Sequence, residues 1–363
     1  MIITADYAGK LINMNIWIDL GHTPQYNFYK QLIIKLIGEG HYVYVTVLNR
    51  GRLASIVQYE LKKFTNVEIS IVGTHKMNKF SAIIEANLLR LVKMFLWARA
   101  KHIDLVFSNG YIPAMVGYYK GIRCYTFDDD PQTFDFKPKL KYSTQSSYCI
   151  YEKPIGTSLD SKAIILPVLK EWAYLAPKYF IPNKQILQIF GVTSKQYIFL
   201  REVSVGTVNY AAQASGAILN IVDLIPKDKQ VLFSLEDKSK RNLYPKEWHL
   251  LQEPVEDIHS LIYYSAGLIS SGDSMAREAS LLGVPAYYLG VRHSMPANLA
   301  AAKVASFHNE TTMPIEEWVH FLSLSESQQI VNQSQIRTSI ENTFIDINQY
   351  MYDLVTLKQK NNV

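Results

Sequence analysis

Short apolar runs, rich in β-branched and aromatic residues, alternate along most of the chain with longer stretches whose apolar positions recur at helical spacing. "NIWIDL" (Asn15 to Leu20) predicts a first strand. "PQYNFYKQLIIKLIGEGH" predicts a helix that stops at Gly38 and Gly40, and "YVYVTVL" predicts a second strand. "VEISIVG" predicts a third strand, Ser81 to Lys101 a long helix, and "DLVFSN" and "RCYTFD" two more strands around a short helical "PAMVGYYKG". "AIILPV" closes this half. The alternation then restarts: strand "QYIFLRE", helix "NYAAQASGAILNIVDLI", strand "KQVLFSLE", short helix "PVEDIHSLIYYSA", strand "GLISSG", then a further helix and strand ending at Leu289. Such a pattern predicts α/β architecture, with two Rossmann-like βα domains joined between Pro177 and Lys195. The expected boundaries are 14–180 and 181–363, the last helix packing back on the first domain. Two such halves face each other across a cleft lined by the C-terminal strand ends and helix N-termini.

With 363 residues there is room for two cores, and 48% apolar against 19% charged residues marks a folded globular chain. The net charge of +5 comes without a block of like charge, which excludes a nucleic-acid-binding arm. A weakly basic surface remains compatible with anionic lipid or a small anion. Cys124 and Cys149 lack metal-ligand spacing and read as reduced thiols of a cytoplasmic protein. No run reaches the roughly eighteen apolar residues of a membrane span. The leader "MIITADYAGKLIN" (1–13) lacks the apolar block of a secretion signal and reads as a misplaced start or a disordered extension.

The chemistry-bearing residues cluster at strand ends. In "SSGDSMAREASLLGVPAYYL" (Ser270 to Leu289), Gly272 permits a sharp turn, and Asp273 or Ser274 is placed to cap the next helix. The free N–H groups and dipole of such a helix start bind phosphate. Glu278, one turn further in, is placed to accept hydrogen bonds from sugar hydroxyls; an ordinary capped helix with a solvated Glu278 is the alternative. In "DLGHTPQYNFYK", Asp19 and His22 are able to move a proton, against the alternative of a capping loop. In "FDDDPQTF", Asp128 to Asp130 suit a base, a sugar-hydroxyl acceptor or a metal ligand, against a solvated turn before Pro131; no metal is inferred. Arg201 in "FLREVS" offers a planar fork for a diphosphate.

The segment Ser270 to Leu289 resembles the nucleotide-binding segment of GT-B-type enzymes, such as the N-acetylglucosaminyltransferase that makes lipid II and the non-hydrolysing UDP-N-acetylglucosamine 2-epimerases. That resemblance implies that Ser271, Gly272, Asp273 and Ser274 face a diphosphate and that Glu278 holds a ribose. "MNIWIDLGHTPQYNFYKQLIIKLIGEGHYVYVTVLNR", "VLKEWAYLAP", "YIFLRE" and the same segment, in that order, resemble a bacterial and archaeal family known as domain of unknown function 354, which has a predicted GT-B fold. In that family a His usually stands where Gln25 stands here. Set against the epimerases, Leu200 replaces a catalytic His before Arg201, Asn109 stands where they carry an acid, and Asp128 to Asp130 are a loose counterpart of another.

The resemblance implies a metal-independent glycosyltransferase of bacterial surface polysaccharide or glycolipid synthesis. Its donor would be a nucleotide-diphosphate sugar, UDP-linked, held by the second domain through Arg201, Ser271 to Ser274 and Glu278. The first domain would present a glycan or lipid-linked acceptor and a base from among Asp19, His22, Asp128 and Asp130, with Asn109 and Gln25 elsewhere in the cleft and no other cofactor. A nucleotide-sugar epimerase or hydrolase, and a non-catalytic nucleotide-sugar-binding protein, are the alternatives. The expected location is the cytoplasm, at the inner face of the membrane. There the basic, apolar helix Ser81 to Lys101 either meets lipid or is an ordinary domain helix with one solvated basic face.

Overall fold

A computed structural model describes residues 13–75, 85–130, 136–150, 158, 160–204, 215–252, 254–290, 305–307 and 315–360. The expectations for residues 1–12, for Ser81 to Ile84 and for Asn209 to Ala214 lie outside them.

Two parallel sheets organise the chain. The first contains β1 (Asn15–Leu20), β2 (Tyr42–Asn49), β3 (Val67–Thr74), β4 (Leu105–Ser108), β5 (Arg123–Asp128), β6 (Gln145–Tyr148) and β7 (Ala163–Ile165), in the order β3-β2-β1-β4-β5-β6-β7. The second contains β8 (Tyr197–Glu202), β9 (Gln230–Leu235), β10 (His249–Leu250), β11 (Gly267–Ser270), β12 (Ala286–Leu289) and β13 (Ala305–Phe307), in the order β10-β9-β8-β11-β12-β13. Strand order reverses beside β1 in one sheet and beside β8 in the other, which opens a crevice at the carboxyl ends of the strands.

Strands buried on both faces explain why the apolar runs are nearly continuous. Because successive side chains point to opposite faces, Ile16, Ile18 and Leu20 enter one core while Trp17 enters another. Tyr197 and Phe199 join that first core from the second sheet, whereas Ile198 and Leu200 pack on the sheet's far side. One core therefore runs through both domains, and the helices between them complete it.

Those helices are α1 (Thr23–Gly38), α2 (Leu53–Leu61), α3 (Arg90–Arg99), α4 (Tyr111–Tyr119), α5 (Lys137–Tyr142), α6 (Trp172–Leu175), α7 (Ile186–Phe190), α8 (Ile258–Tyr263), α9 (Asp273–Leu281), α10 (Ile315–Ser323), α11 (Glu326–Glu341) and α12 (Ile347–Lys360). The connection from β7 to β8 carries α6 and α7. From the end of the chain, α12 returns to the first sheet: Tyr350 Oη accepts a 2.7 Å hydrogen bond from Gln145 Nε2, and Lys35 Nζ lies 3.7 Å from the Tyr352 ring centre.

Three expectations need correction. The long helix ending at Lys101 is a π turn at Glu85–Leu89 followed by α3, and the described part of the expected helix before Ile225 is a 3-10 helix, Ala217–Leu224. Apolar spacing alone does not separate these helix types, since neighbouring turns differ by one residue per hydrogen bond. Neither Asp273 nor Ser274 caps α9: Gly272 does, with no side-chain cap, while Asp273 turns its carboxylate to Arg277.

Candidate functional site

A cavity of about 360 Å³ opens where the strand ends of the two domains meet, lined by His22, Pro24, Gln25, Phe28, Arg50, Asn109, Asp128 to Asp130, Lys170, Ser274 and Arg277. Three helix N-termini converge on it. α1 starts after β1 with His22 as its cap, α4 after β4 with Gly110, and α9 after β11 with Gly272; none of the three has a side-chain cap. Their first-turn N–H groups and positive dipole ends together favour an anion in the cavity.

Two of these turns are built alike. Ser108 Oγ donates to Gly110 O and accepts from Gly110 N, both at 2.8 Å. Ser270 Oγ donates to Gly272 O at 2.6 Å and accepts from Gly272 N at 2.9 Å. β4 and β11 hold equivalent places in their sheets, so Ser-Asn-Gly and Ser-Ser-Gly are one local solution used in both domains. In the α1 turn, Gln25 Oε1 accepts from Gly21 N at 2.7 Å. Asn109 is fixed by donating to Phe127 O at 2.9 Å, which leaves its buried Oδ1 without a partner.

A charged network crosses the floor. Arg277, 1% exposed, binds Asp273 at 2.6 Å within its own helix and Glu171 at 2.7 Å on the connecting segment, and it lies 3.7 Å from Asp129 of the first domain. Lys170 binds the same Asp129 oxygen at 2.5 Å. Burial opposes ionisation of Asp129, but Lys170 and Arg277 outweigh it and hold its carboxyl below the usual range. Likewise burial would lower Lys170, and Asp129 with Glu171 keeps it above its ordinary value. Asp128 takes the Asp129 and Asp130 backbone N–H groups on one oxygen and the Lys139 ammonium on the other. Its carboxylate shapes the loop that presents Asp130.

His22 has the most telling electrostatics. Burial, then Arg50 and Lys170, then His75 push its pKa down to about 4, so the imidazole is neutral near pH 7 in the ligand-free cavity. Burial also lowers Arg50.

The other sequence candidates stand away from this cavity. Asp19, 3% exposed, accepts from Thr46 Oγ1 at 2.7 Å and Arg90 Nη2 at 2.9 Å; it ties β1 to β2 and α3 and does not line the cavity. Arg201 donates to Ser234 Oγ at 2.7 Å and pairs with Glu236 at 2.5 Å, along β9. Ser271 Oγ accepts from Val203 N at 2.9 Å and donates to Glu202 at 3.2 Å. Glu278 does not line the cavity: Tyr174 Oη donates to it at 2.7 Å and His259 Nε2 lies at 3.4 Å. Burial raises the pKa of Glu278, but His259 and Tyr174 outweigh it and the carboxyl stays below its ordinary value. Arg50, Lys170, Glu171 and Lys139 escaped the reading of the sequence. Arg50 follows β2, a position that strand-end reasoning could have flagged; Lys170 and Glu171 sit in a connection whose path no periodicity reveals.

Among the described residues, no group of three or more His, Cys, Asp and Glu is arranged to hold a metal ion.

Two parallel βα domains meeting at their strand ends define the GT-B fold, and solved structures of that fold match nearly the whole chain. The glycosyltransferase of kitacinnamycin shares 10% identity over 94% of this chain and 98% of its own, with a TM-score of 0.61. The UDP-GlcNAc 2-epimerase from Neisseria meningitidis, bound to UDP-GlcNAc, shares 15% identity over 90% and 99%, with a TM-score of 0.61. Spinosyn forosaminyltransferase shares 15% identity over 95% and 100%, with a TM-score of 0.64. No family model and no curated protein matches the chain, so the narrower resemblance to domain of unknown function 354 rests on the sequence stretches alone.

Proposed function

We propose that the protein is a metal-independent GT-B-type glycosyltransferase. It takes a nucleotide-diphosphate sugar, UDP-linked, and serves the assembly of a bacterial surface polysaccharide or glycolipid at the cytoplasmic face of the membrane. The observation that carries the reading is the ring around the cavity: three helix N-termini without side-chain caps, together with Arg50, Lys170 and Arg277. Such an arrangement stabilises a diphosphate, and still more a departing one whose charge grows in the transition state.

The donor diphosphate sits at the N-terminus of α9 by Ser274, with its ribose towards Glu278. Ser271, Gly272 and Asp273 shape the turn behind it, and Arg201 stands at the end of β8. The acceptor hydroxyl approaches from the α1 and β5 side. His22 and Asp130 border that side and are the candidates to take its proton, with Gln25 and Asn109 placing the sugar. A neutral His22 is the correct state for a base, and an anion beside Arg50 and Lys170 raises its proton affinity when the donor is in place.

An epimerase or hydrolase acting on the nucleotide sugar alone is the second reading, favoured by the epimerases among the fold neighbours. Against it, Leu200 fills the core at the place of the epimerase His. A binding protein without turnover is the third. Calorimetry with UDP-, GDP-, dTDP- and CMP-sugars, repeated on Glu278→Ala, tests the site: binding of one donor and its loss in the variant support it. No binding, or unchanged binding in Glu278→Ala, refutes the assignment. Product analysis without acceptor separates the first two readings, since unaided epimer formation overturns the transferase.

A further inference from the structure

The segment from Glu85 to Arg99 is rich in apolar residues interspersed with Arg90, Lys93 and Arg99, and not all of that apolar surface is turned inward. Leu88, Leu89, Val92 and Leu96 are between 44% and 64% exposed, an arrangement that α/β packing does not require. The patch extends beyond its own helix. Phe95 packs its ring 6.1 Å from Tyr119 of α4, and Tyr118 stacks edge-on at 5.5 Å against Tyr142 of α5. Tyr118 and Tyr119 are themselves 52% and 64% exposed.

Cations border this surface. Lys93 and Arg99 project from α3, Lys120 follows α4 with its ammonium 2.9 Å from Ala98 O, and Lys141 lies over the Tyr142 ring at 5.3 Å. The acid on the same stretch of helix, Glu85, is 5% exposed and paired with Lys93 at 2.9 Å. Leucine and valine in the middle, tyrosine beside them and lysine and arginine at the edge match the layers of a lipid surface: hydrocarbon, interface and anionic headgroup. A protein partner would need complementary acids and a shaped counterpart. A bilayer needs only a convex apolar face with a basic rim.

We infer that the first domain docks on anionic membranes through Leu88, Leu89, Val92, Leu96, Tyr118 and Tyr119, with Lys93, Arg99, Lys120 and Lys141 facing the headgroups. Docking places the start of α3, where Arg90 grips Asp19 at the strand ends, towards the lipid, so the cleft lies close above the bilayer. Among the described residues no helix is long and apolar enough to cross a membrane, and the contact is peripheral. The inference stands on this surface and does not depend on what the cleft binds.

Co-sedimentation of the full chain with vesicles of phosphatidylcholine, alone or mixed with phosphatidylglycerol, tests it. The wild type is expected to bind the mixed vesicles and to be released by salt, because the headgroup attraction is screened over about 10 Å at 0.1 M. Arg99→Ala and Lys120→Ala should each weaken binding about fivefold, and Val92→Glu with Leu96→Glu by about tenfold or more. Circular dichroism of each variant confirms that the fold is kept; should the double variant unfold, Leu96→Ser replaces it and should weaken binding by about threefold or more. Absence of binding to the mixed vesicles overturns the inference, as does binding unaffected by these variants. A wild type that sediments as a dimer, with a monomeric Leu96 variant, assigns the face to a second copy of the chain and equally overturns it.

Discussion

Replacing Arg277 with methionine tests the idea that one guanidinium joins the two domains under the cavity. Its partners Asp273 and Glu171 are 0% and 1% exposed, so neither carboxylate gains water when the cation goes. Breaking a buried ion pair costs about 3–5 kcal/mol, and here one cation serves two buried acids and lies near a third, which puts the loss at about 5 kcal/mol. The loss should depend on pH with a defined sign. Without the guanidinium, two buried carboxylates are left as uncompensated charges, and burial favours their neutral forms in the folded chain more than water does in the unfolded one. The folded variant then binds protons more readily than its unfolded chain, so its deficit against wild type shrinks as pH falls from 7 to 5. Urea unfolding at pH 7 and pH 5, followed by tryptophan fluorescence, measures both effects. Arg277→Met with Glu171→Gln and Asp273→Asn should recover much of the loss, since neutral partners no longer bury an uncompensated charge. A single variant that loses less than about 1 kcal/mol, or the same amount at both pH values, refutes the reasoning.

Two further outcomes are open to direct measurement. His22 should titrate near 4 by NMR in the ligand-free protein and higher with a nucleotide-diphosphate sugar bound; affinity for such a ligand, whose diphosphate diester does not titrate near neutrality, should then rise as pH falls from 7 to 5 and lose that dependence in His22→Ala. Gly283, at φ +76°, ends α9 with no room for a Cβ, which would strike the Gln333 carbonyl of α11, so Gly283→Ala should cost about 3 kcal/mol or more in chemical denaturation.

Strand existence and order along the chain were legible because strands buried on both faces write themselves as dense apolar runs. "NIWIDL" and "RCYTFD" coincide with β1 and β5 to the residue. β6, "QSSY", went unseen: its two serines are buried by hydrogen bonding, Ser146 to Thr126 at 2.7 Å, rather than by apolarity. Among site residues, the turns after β1, β4, β5 and β11 were legible because a strand end followed by a helix start is a local event. The partners that those turns would meet were not. Asp19 carries the right chemistry at the right strand end, yet Arg90, which holds it, lies 71 positions further on.

By itself the sequence determined the local grammar: where apolar runs end, where glycine permits a turn, which loops carry ionisable groups, and that no block of charge points to nucleic acid. Only the tertiary structure decided which of those groups face each other. Arg277 reads as one more helix cation until Glu171, 106 positions earlier, is brought to 2.7 Å and water is removed from both. The same holds for α3, whose sequence mixes basic and apolar residues and whose packing alone decides that Met94 and Ala98 are buried while Val92 and Leu96 stay in the open. Burial is a property of the folded surface rather than of the chain, and burial sets the strength of a charge pair, the basicity of a histidine and the reach of an apolar face.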